Sequence, residues 1–287
     1  MMMAIETTKR KKIHFSHICI HAFLILVSLL LVYPVFVMIA GSFKSMSELL
    51  HNAAGLPINF TLDNYRRLLN YNSGVITRSF ANSLFIASST TVLQLIVASM
   101  AGFAFSKYNF RLKNFLFIML LMTMMVPGEL LITPQFLIFS KLGWLNSYKV
   151  QIIPAIANTF AMFMFRQFMD SIPNSLLEAA RIDGAGHIMV FTRIVLPTSV
   201  PTIGALGILQ FLSKWNDFLY PKIMITKMQY KPIMVILPTL TEGGDTAGIP
   251  YDLVLAGCTL VVIPMIIVFF CLQDKFLQSV TLGSVKG

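Results

Sequence analysis

Long apolar segments separated by polar stretches dominate this chain. A helix that crosses a bilayer needs about 20 mostly apolar residues. The first candidate, Ala22 to Ala40, is uncharged and contains Pro34, which can kink it. The second, roughly Phe80 to Phe105, carries Asn82, Ser83, Ser88, Ser89, Thr90, Thr91 and Gln94. The third starts at Phe115 and fades near Phe136, with Pro127, Gly128 and Pro134 interrupting it. The fourth runs from about Val150 to Phe168. The fifth, about Val200 to Met224, is the least apolar, and the sixth, about Leu253 to Leu272, is free of charge. The pattern predicts an all-α membrane protein with six transmembrane helices and both termini on one side.

Lys and Arg set the expected orientation, because they accumulate on the cytoplasmic side. With the N-terminus inside, the inner segments hold 12 of them and the outer segments 9. Lys9, Arg10, Lys11 and Lys12, just before the first span, contribute most to that excess. The expected division is a cytoplasmic N-terminus (1–21), a six-span domain (22–272) with a long cytoplasmic loop (169–199), and a cytoplasmic tail (273–287). The basic start followed by an apolar run resembles a signal peptide. The run exceeds an h-region of about 7–15 residues, so an uncleaved first span is expected.

Composition agrees. Hydrophobic residues make up 56% of the 287 and charged residues 12%, with mean hydropathy +0.75. Soluble domains carry about 25% charged residues, so a disordered chain and an ordinary soluble enzyme are excluded. The net charge of +10 raises nucleic acid as a partner. The basic residues are dispersed, however, and flank apolar segments, so lipid and no nucleic acid is the reading. Cys19, Cys258 and Cys271 form no CxxC and are expected to be buried, inert thiols. His14, His17 and His21 share a helical face but have no carboxylate beside them. They read as interfacial side chains, with no metal. HExxH and GxSxG are both absent, which argues against a membrane enzyme.

Three hydrophilic segments remain. Gly41 to Ser79 suggests a folded outer cap. Lys222 to Pro250 ends in the flexible run Glu242-Gly243-Gly244-Asp245. Met169 to Ser199 reads as two short helices. Pro173 suits the first helical position, and Leu176, Leu177 and Ala180 form an apolar face opposite Glu178 and Arg181. Gly184, after Asp183, fits the left-handed position that ends a helix. A second helix follows, with Ile188, Phe191, Ile194 and Val195 on one face, and Pro197 stops it. Such helices could lie on lipid headgroups. Because Glu178 and Asp183 offset Arg181 and Arg193, a protein partner fits better.

Glu178-Ala179-Ala180, three residues, Gly184, nine residues, then Ile194-Val195-Leu196-Pro197 resembles the EAA signature of permease subunits in bacterial ABC importers. The run from Glu178 to Ala185 with Phe191, Leu196, Pro197 and Pro201 is similar to the MalG-like carbohydrate importers. So are Asn64-Tyr65, Asn82-Ser83, Trp215-Asn216-Asp217-Phe218 and the ending Gly283-Ser284-Val285-Lys286-Gly287. That ending has Ser where the family usually has Ala.

The resemblance covers nearly the whole chain and implies a type I importer permease fold in a bacterial inner membrane. It implies that Glu178, Ala179, Ala180, Asp183, Gly184, Ile194, Leu196 and Pro197 form a coupling loop docking into a cytoplasmic ATPase. It further implies a homologous partner permease, two ATPase subunits, an extracytoplasmic solute-binding protein touching Glu242 to Asp245, and a carbohydrate substrate. None of the sixteen glycines precedes a Lys, so no P-loop exists here. ATP and Mg are expected on the partner ATPase, with no cofactor in this subunit and no catalysis by it.

Glu129, inside the third span, reads either as a structural carboxylate or as pathway lining. Lys214, Trp215, Asn216 and Asp217 interrupt the fifth span. They suit sugar recognition along a pathway, and Trp215 and Tyr220 equally suit an interfacial belt. An ATPase-independent carrier or channel for a polar solute is the alternative. The long inner loop and the lack of repeated halves stand against it.

Overall fold

The computed structural model describes residues 15–242 and 248–284. Lys9 to Lys12, His14, Gly243 to Asp245 and Val285 to Gly287 lie outside the described residues. Among those described, all regular structure is helical. The elements are α1 (Phe15–Ser42), α2 (Met46–His51), α3 (Asp63–Asn70), α4 (Val75–Lys107), α5 (Lys113–Thr123), α6 (Ile132–Lys141), α7 (Tyr148–Ile152) and α8 (Thr159–Asp170). They continue as α9 (Asn174–Ile182), α10 (His187–Val190), α11 (Leu196–Thr198), α12 (Val200–Trp215), α13 (Leu219–Met224), α14 (Ile233–Ile236), α15 (Thr239–Glu242) and α16 (Tyr251–Ser284).

Four stretches are long and apolar enough to cross a bilayer unbroken: Cys19–Ser42, Asp63–Lys107, Tyr148–Asp170 and Tyr251–Asp274. The other two expected spans are bent. α5 and the Gly128–Lys141 segment meet at 90°, because α5 ends at Thr123 and, after an irregular stretch to Pro127, a 3-10 turn over Gly128–Leu131 starts the next. The fifth expected helix does not reach Met224. It stops at Trp215, where Asn216 caps it and donates its backbone N–H to the Leu212 carbonyl, and α13 restarts at Leu219. Its 16 residues span only about 24 Å. His187–Thr198 precedes it at a 75° bend.

α4 is the central helix, packed on α8 and α12, while α16 lies on α12 and α1. Gly102 allows α4 and α8 to approach closely. A Cβ there would sit 2.6 Å from Phe165 Cβ and 2.9 Å from the Arg166 nitrogen. Small residues serve this purpose in bilayer helix contacts, where van der Waals packing replaces the hydrophobic drive. One core cluster, around Leu68, Phe211, Trp215 and Ile236, fills one end of the bundle. Another, around Phe103, Phe165, Leu177 and Val195, fills the opposite end.

The cysteines differ from expectation. Cys19 and Cys271 are exposed and Cys258 is half-buried, all as free thiols. They ride on α1 and α16, whose outward faces present residues such as Leu30 and Phe270 away from the protein. An apolar side chain on a spanning helix is satisfied by lipid and needs no protein core.

The expected cap, Gly41 to Ser79, is folded around a lysine. Lys44 is fully buried and its Nζ donates to the carbonyls of Asn52 (2.6 Å) and Gly55 (2.7 Å). Asn64 Nδ2 donates to the Ser42 and Lys44 carbonyls at 2.9 and 2.7 Å. Arg67 ties the cap to the start of α16 through Asp252, at 2.7 Å.

Candidate functional site

Two regions at opposite ends of the bundle carry the polar chemistry. The first is the loop after α8. Pro173 directly precedes α9 and is not its first residue. Leu177 is buried in the nearby core cluster, Ala180 packs against it, and Leu176 stays exposed. α9 ends in a double hydrogen bond. The N–H of Gly184 donates to the Arg181 carbonyl (3.0 Å) and that of Ala185 to the Ala180 carbonyl (2.9 Å). This Schellman closure needs a left-handed residue at Gly184, whose φ is +85°.

Glu178, Ala179 and Asp183 are exposed, and Ile182 and Ile188 flank the turn at 86% and 80% exposure. Ile188 was expected to share one apolar face with Phe191, Ile194 and Val195. Only Val190 and Val195 are buried there, with Phe191, Ile194 and Leu196 half-buried. A π turn over Phe191–Val195 adds a residue to that turn and rotates the face. Pro197 sits inside the last turn, and the helix closes one residue later at Thr198.

The end of α4 grips this loop on both flanks. Ser106 Oγ donates to Asp170 Oδ1 (2.7 Å), and Lys107 Nζ to the Ile172 carbonyl (2.6 Å) and Asn174 Oδ1 (3.2 Å). The Tyr108 hydroxyl bonds His187 Nδ1 at 2.7 Å. A rigid tip with two unpartnered isoleucines is thereby fixed to a spanning helix. Such an object can seat in a groove of another protein.

The second region is a pocket of about 320 Å³ at the far end. The broken third span supplies Gly128, Glu129, Ile132 and Gln135. The start of the fourth gives Gln151, Pro154 and Ala155, and the end of the fifth gives Lys214, Asp217, Leu219 and Tyr220. Lys214 Nζ pairs with Asp217 Oδ2 at 2.8 Å and lies 5.3 Å from the Tyr220 ring centroid. Gln151 Nε2 donates to the Tyr230 carbonyl at 3.3 Å. Beside the pocket, Gln94 Nε2 donates to the Ala155 carbonyl at 2.5 Å.

Of the four residues expected along a pathway, Glu129 and Asp217 line this pocket and the other two do not. Trp215 is 1% exposed, stacked on Phe211 (5.8 Å) and edge-on to Phe80 (5.5 Å). It shares a helix face with Phe211, four residues earlier, and that face turns inward onto α4. Asn216 is exposed and spends its amide on the Leu212 carbonyl at 2.9 Å.

A family model described as "Binding-protein-dependent transport system inner membrane component" matches residues 94–282, about two thirds of the chain. The chain belongs to this family. It is similar to the arabinooligosaccharides transport system permease protein of Halalkalibacterium halodurans, with 36% identity over 91% of this chain and 93% of that one. It is also 36% identical to the protein of the same description from Bacillus subtilis, over 94% and 96% of the two chains. A solved bacterial ABC transporter involved in importing the acidic polysaccharide alginate shares the fold. The TM-score is 0.82 at 23% identity, covering 95% of this chain and all of that one.

The protein is thus a multi-pass membrane permease of the ABC importer class, a transport subunit and not an enzyme. In this permease the residues that join the loop after α13 to the bundle carried little signal in the sequence. Asn82 was visible as a polar residue within a span and as part of the Asn82-Ser83 resemblance, and neither signal showed that it holds the loop after α13. Glu242, the first of the four expected binding-protein contact residues, closes α15.

Proposed function

We propose that this permease forms, with a homologous partner, the pathway of a carbohydrate importer driven by two separate ATPase subunits. The coupling loop carries this reading. Its tip is exposed, apolar and rigidly joined to α4, which suits docking into an ATPase. Glu178, Ala179, Ala180, Asp183, Gly184, Ile194, Leu196 and Pro197 form or support that tip. ATP and Mg belong to the partner. The names of the similar permeases point to oligosaccharide as the substrate class.

A second permease is argued from the broken span. α5 has 11 residues and rises about 16 Å, so the break lies near mid-membrane. Met125 at the break is 82% exposed. Irregular backbone at that depth is stable only against protein or a water-filled cavity. The partner permease and the shared pathway supply both. An extracytoplasmic solute-binding protein delivers substrate to the outer end, near Glu242 to Asp245. The N-terminus, the tail and the 169–199 loop face the cytoplasm of a bacterial cell.

The complex reconstituted in vesicles tests this. Loaded binding protein should stimulate ATP hydrolysis, and sugar uptake should require it. A cysteine at Asp245 should react with an impermeant thiol reagent from outside, and one at Gly186 should not. Uptake that persists without ATPase subunits would establish a carrier or channel instead.

A further inference from the structure

We propose that the pocket between the third, fourth and fifth spans is a subsite for uncharged saccharide, and that Glu129 makes it reject acidic sugars. The proposal rests on the carbohydrate reading above and names the charge class that reading leaves open. Proteins similar in sequence or fold are described for both arabinooligosaccharides and an acidic polysaccharide.

The pocket's own groups decide between them. Two carboxylates, Glu129 and Asp217, face one ammonium, Lys214, leaving a formal charge of −1. That ammonium is already engaged by Asp217 at 2.8 Å. A sugar carboxylate entering here would find no free cation and would meet Glu129. Glu129 is exposed, and like-charge juxtaposition there is unfavourable. Among the described residues, the Glu129 carboxylate has neither a hydrogen-bond nor an ion-pair partner, and only its backbone carbonyl is engaged, by the Ile132 N–H.

A neutral saccharide matches what is unused. Its hydroxyls are donors, and the pocket offers acceptors: the Glu129 carboxylate, the second oxygen of Asp217 and the oxygen of Gln135. Hydrogen bonds to a carboxylate are about twice as strong as neutral ones. The Tyr220 ring gives an apolar face for the CH side of a sugar, and its hydroxyl is held by the Val150 carbonyl at 3.0 Å. The volume lies at the lower end of the range for small-molecule sites, about 300–1,000 Å³.

The test uses the assembled complex in detergent, held with ATP and vanadate and without binding protein. Saturation-transfer NMR is recorded with arabinotriose and with trigalacturonate. Arabinotriose should bind at least about tenfold more tightly. Glu129→Gln, which keeps the shape, should weaken arabinotriose about tenfold. Glu129→Lys should invert the preference. Equal or tighter binding of trigalacturonate by the native complex would overturn the proposal. So would an unchanged Glu129→Gln variant, or no binding of either sugar. ATP hydrolysis stimulated by the binding protein is measured on the same preparation. Stimulation without charge preference removes the subsite alone, whereas absent stimulation removes the importer reading.

Discussion

The Tyr148 hydroxyl donates to Asn82 Oδ1 at 2.8 Å, joining the start of the fourth span to the second. The other end of the same amide donates to the carbonyls of Gln229 and Lys231, at 2.9 and 3.1 Å. Ser83 Oγ next to it accepts the Ile233 N–H at 2.8 Å. Two adjacent residues of α4 therefore anchor the segment that follows α13.

Asn82 is 5% exposed, whereas its partner Gln229 is exposed and Lys231 half-buried. Asn82→Leu should lower stability by about 1 kcal/mol, the net worth of the hydrogen bonds it removes. Tyr148→Phe should cost about 1 kcal/mol. Thermal melting of the purified complex, with the double variant completing the cycle, checks both. Additive losses would show that the two residues do not interact.

The apolar runs made the helical class and the number of crossings legible, because bilayer thickness fixes segment length. Gly184 was legible too, since only a left-handed turn explains a glycine after Asp183 at that place. The inward turn of Trp215 was not. Its position in the fifth span is equally compatible with a pathway or a core, and only the packing of Phe211 and Phe80 decides. The grip of Ser106, Lys107 and Tyr108 on the loop was hidden for another reason. It joins residues more than 60 positions apart, and no local pattern records such pairing.

Gly102 should tolerate no β-branched residue. A Cβ alone would press on Phe165 and on the backbone of Arg166, which cannot move aside as a flexible side chain would. Gly102→Val should destabilise by about 1–3 kcal/mol or prevent assembly of α4 with α8. Gly128→Ala is the control, because open space surrounds that site. Equal yields of the two variants after detergent extraction would contradict the close packing.

Glu48 makes the cap around Lys44 sensitive to acid. Its carboxylate accepts the N–H groups of Ile58 (2.6 Å) and Asn59 (3.2 Å). The Ile58 bond, more than the Asn59, Asn52 and Lys44 contacts, holds its carboxyl below the usual range, against a smaller opposing effect of burial. A carboxylate favoured in the folded state stabilises above its unfolded pKa, about 4.3, and that contribution is lost as pH falls through the lower folded value. Amide exchange at Ile58 and Asn59 should therefore lose protection below about pH 4. In Glu48→Gln that pH dependence should vanish.

The Gly184 turn separates backbone strain from steric clash. A Cβ there would meet nothing within 4 Å, so any harm comes from φ at +85°. Gly184→Val should cost about 1–2 kcal/mol locally and tilt α10 without affecting insertion. Uptake and ATPase stimulation should fall together while the complex still assembles. Gly186 is equally open but has φ at −71°, so Gly186→Ala should retain both activities. Loss of coupling in both variants would mean that bulk, not backbone, matters at the tip.

Tyr108 tests whether the grip of α4 transmits motion or only adds stability. Its ring packs edge-on to Phe103 at 5.3 Å, and its hydroxyl bonds His187. Tyr108→Phe keeps the ring and removes only the bond to the base of α10. If α4 carries the loop as one body, the freed tip should follow the ATPase without moving the spans. Basal ATP hydrolysis should then stay near the native rate, while stimulation by loaded binding protein and sugar uptake drop several-fold. A merely structural role predicts a different split, in which melting temperature falls and the ratio of uptake to hydrolysis is unchanged. His187→Gln, with an amide that can still meet the Tyr108 hydroxyl, should restore most of the coupling that His187→Ala removes. If His187→Ala and His187→Gln couple equally well, this hydrogen bond transmits nothing, and Ser106 and Lys107 are left as the joint between span and loop.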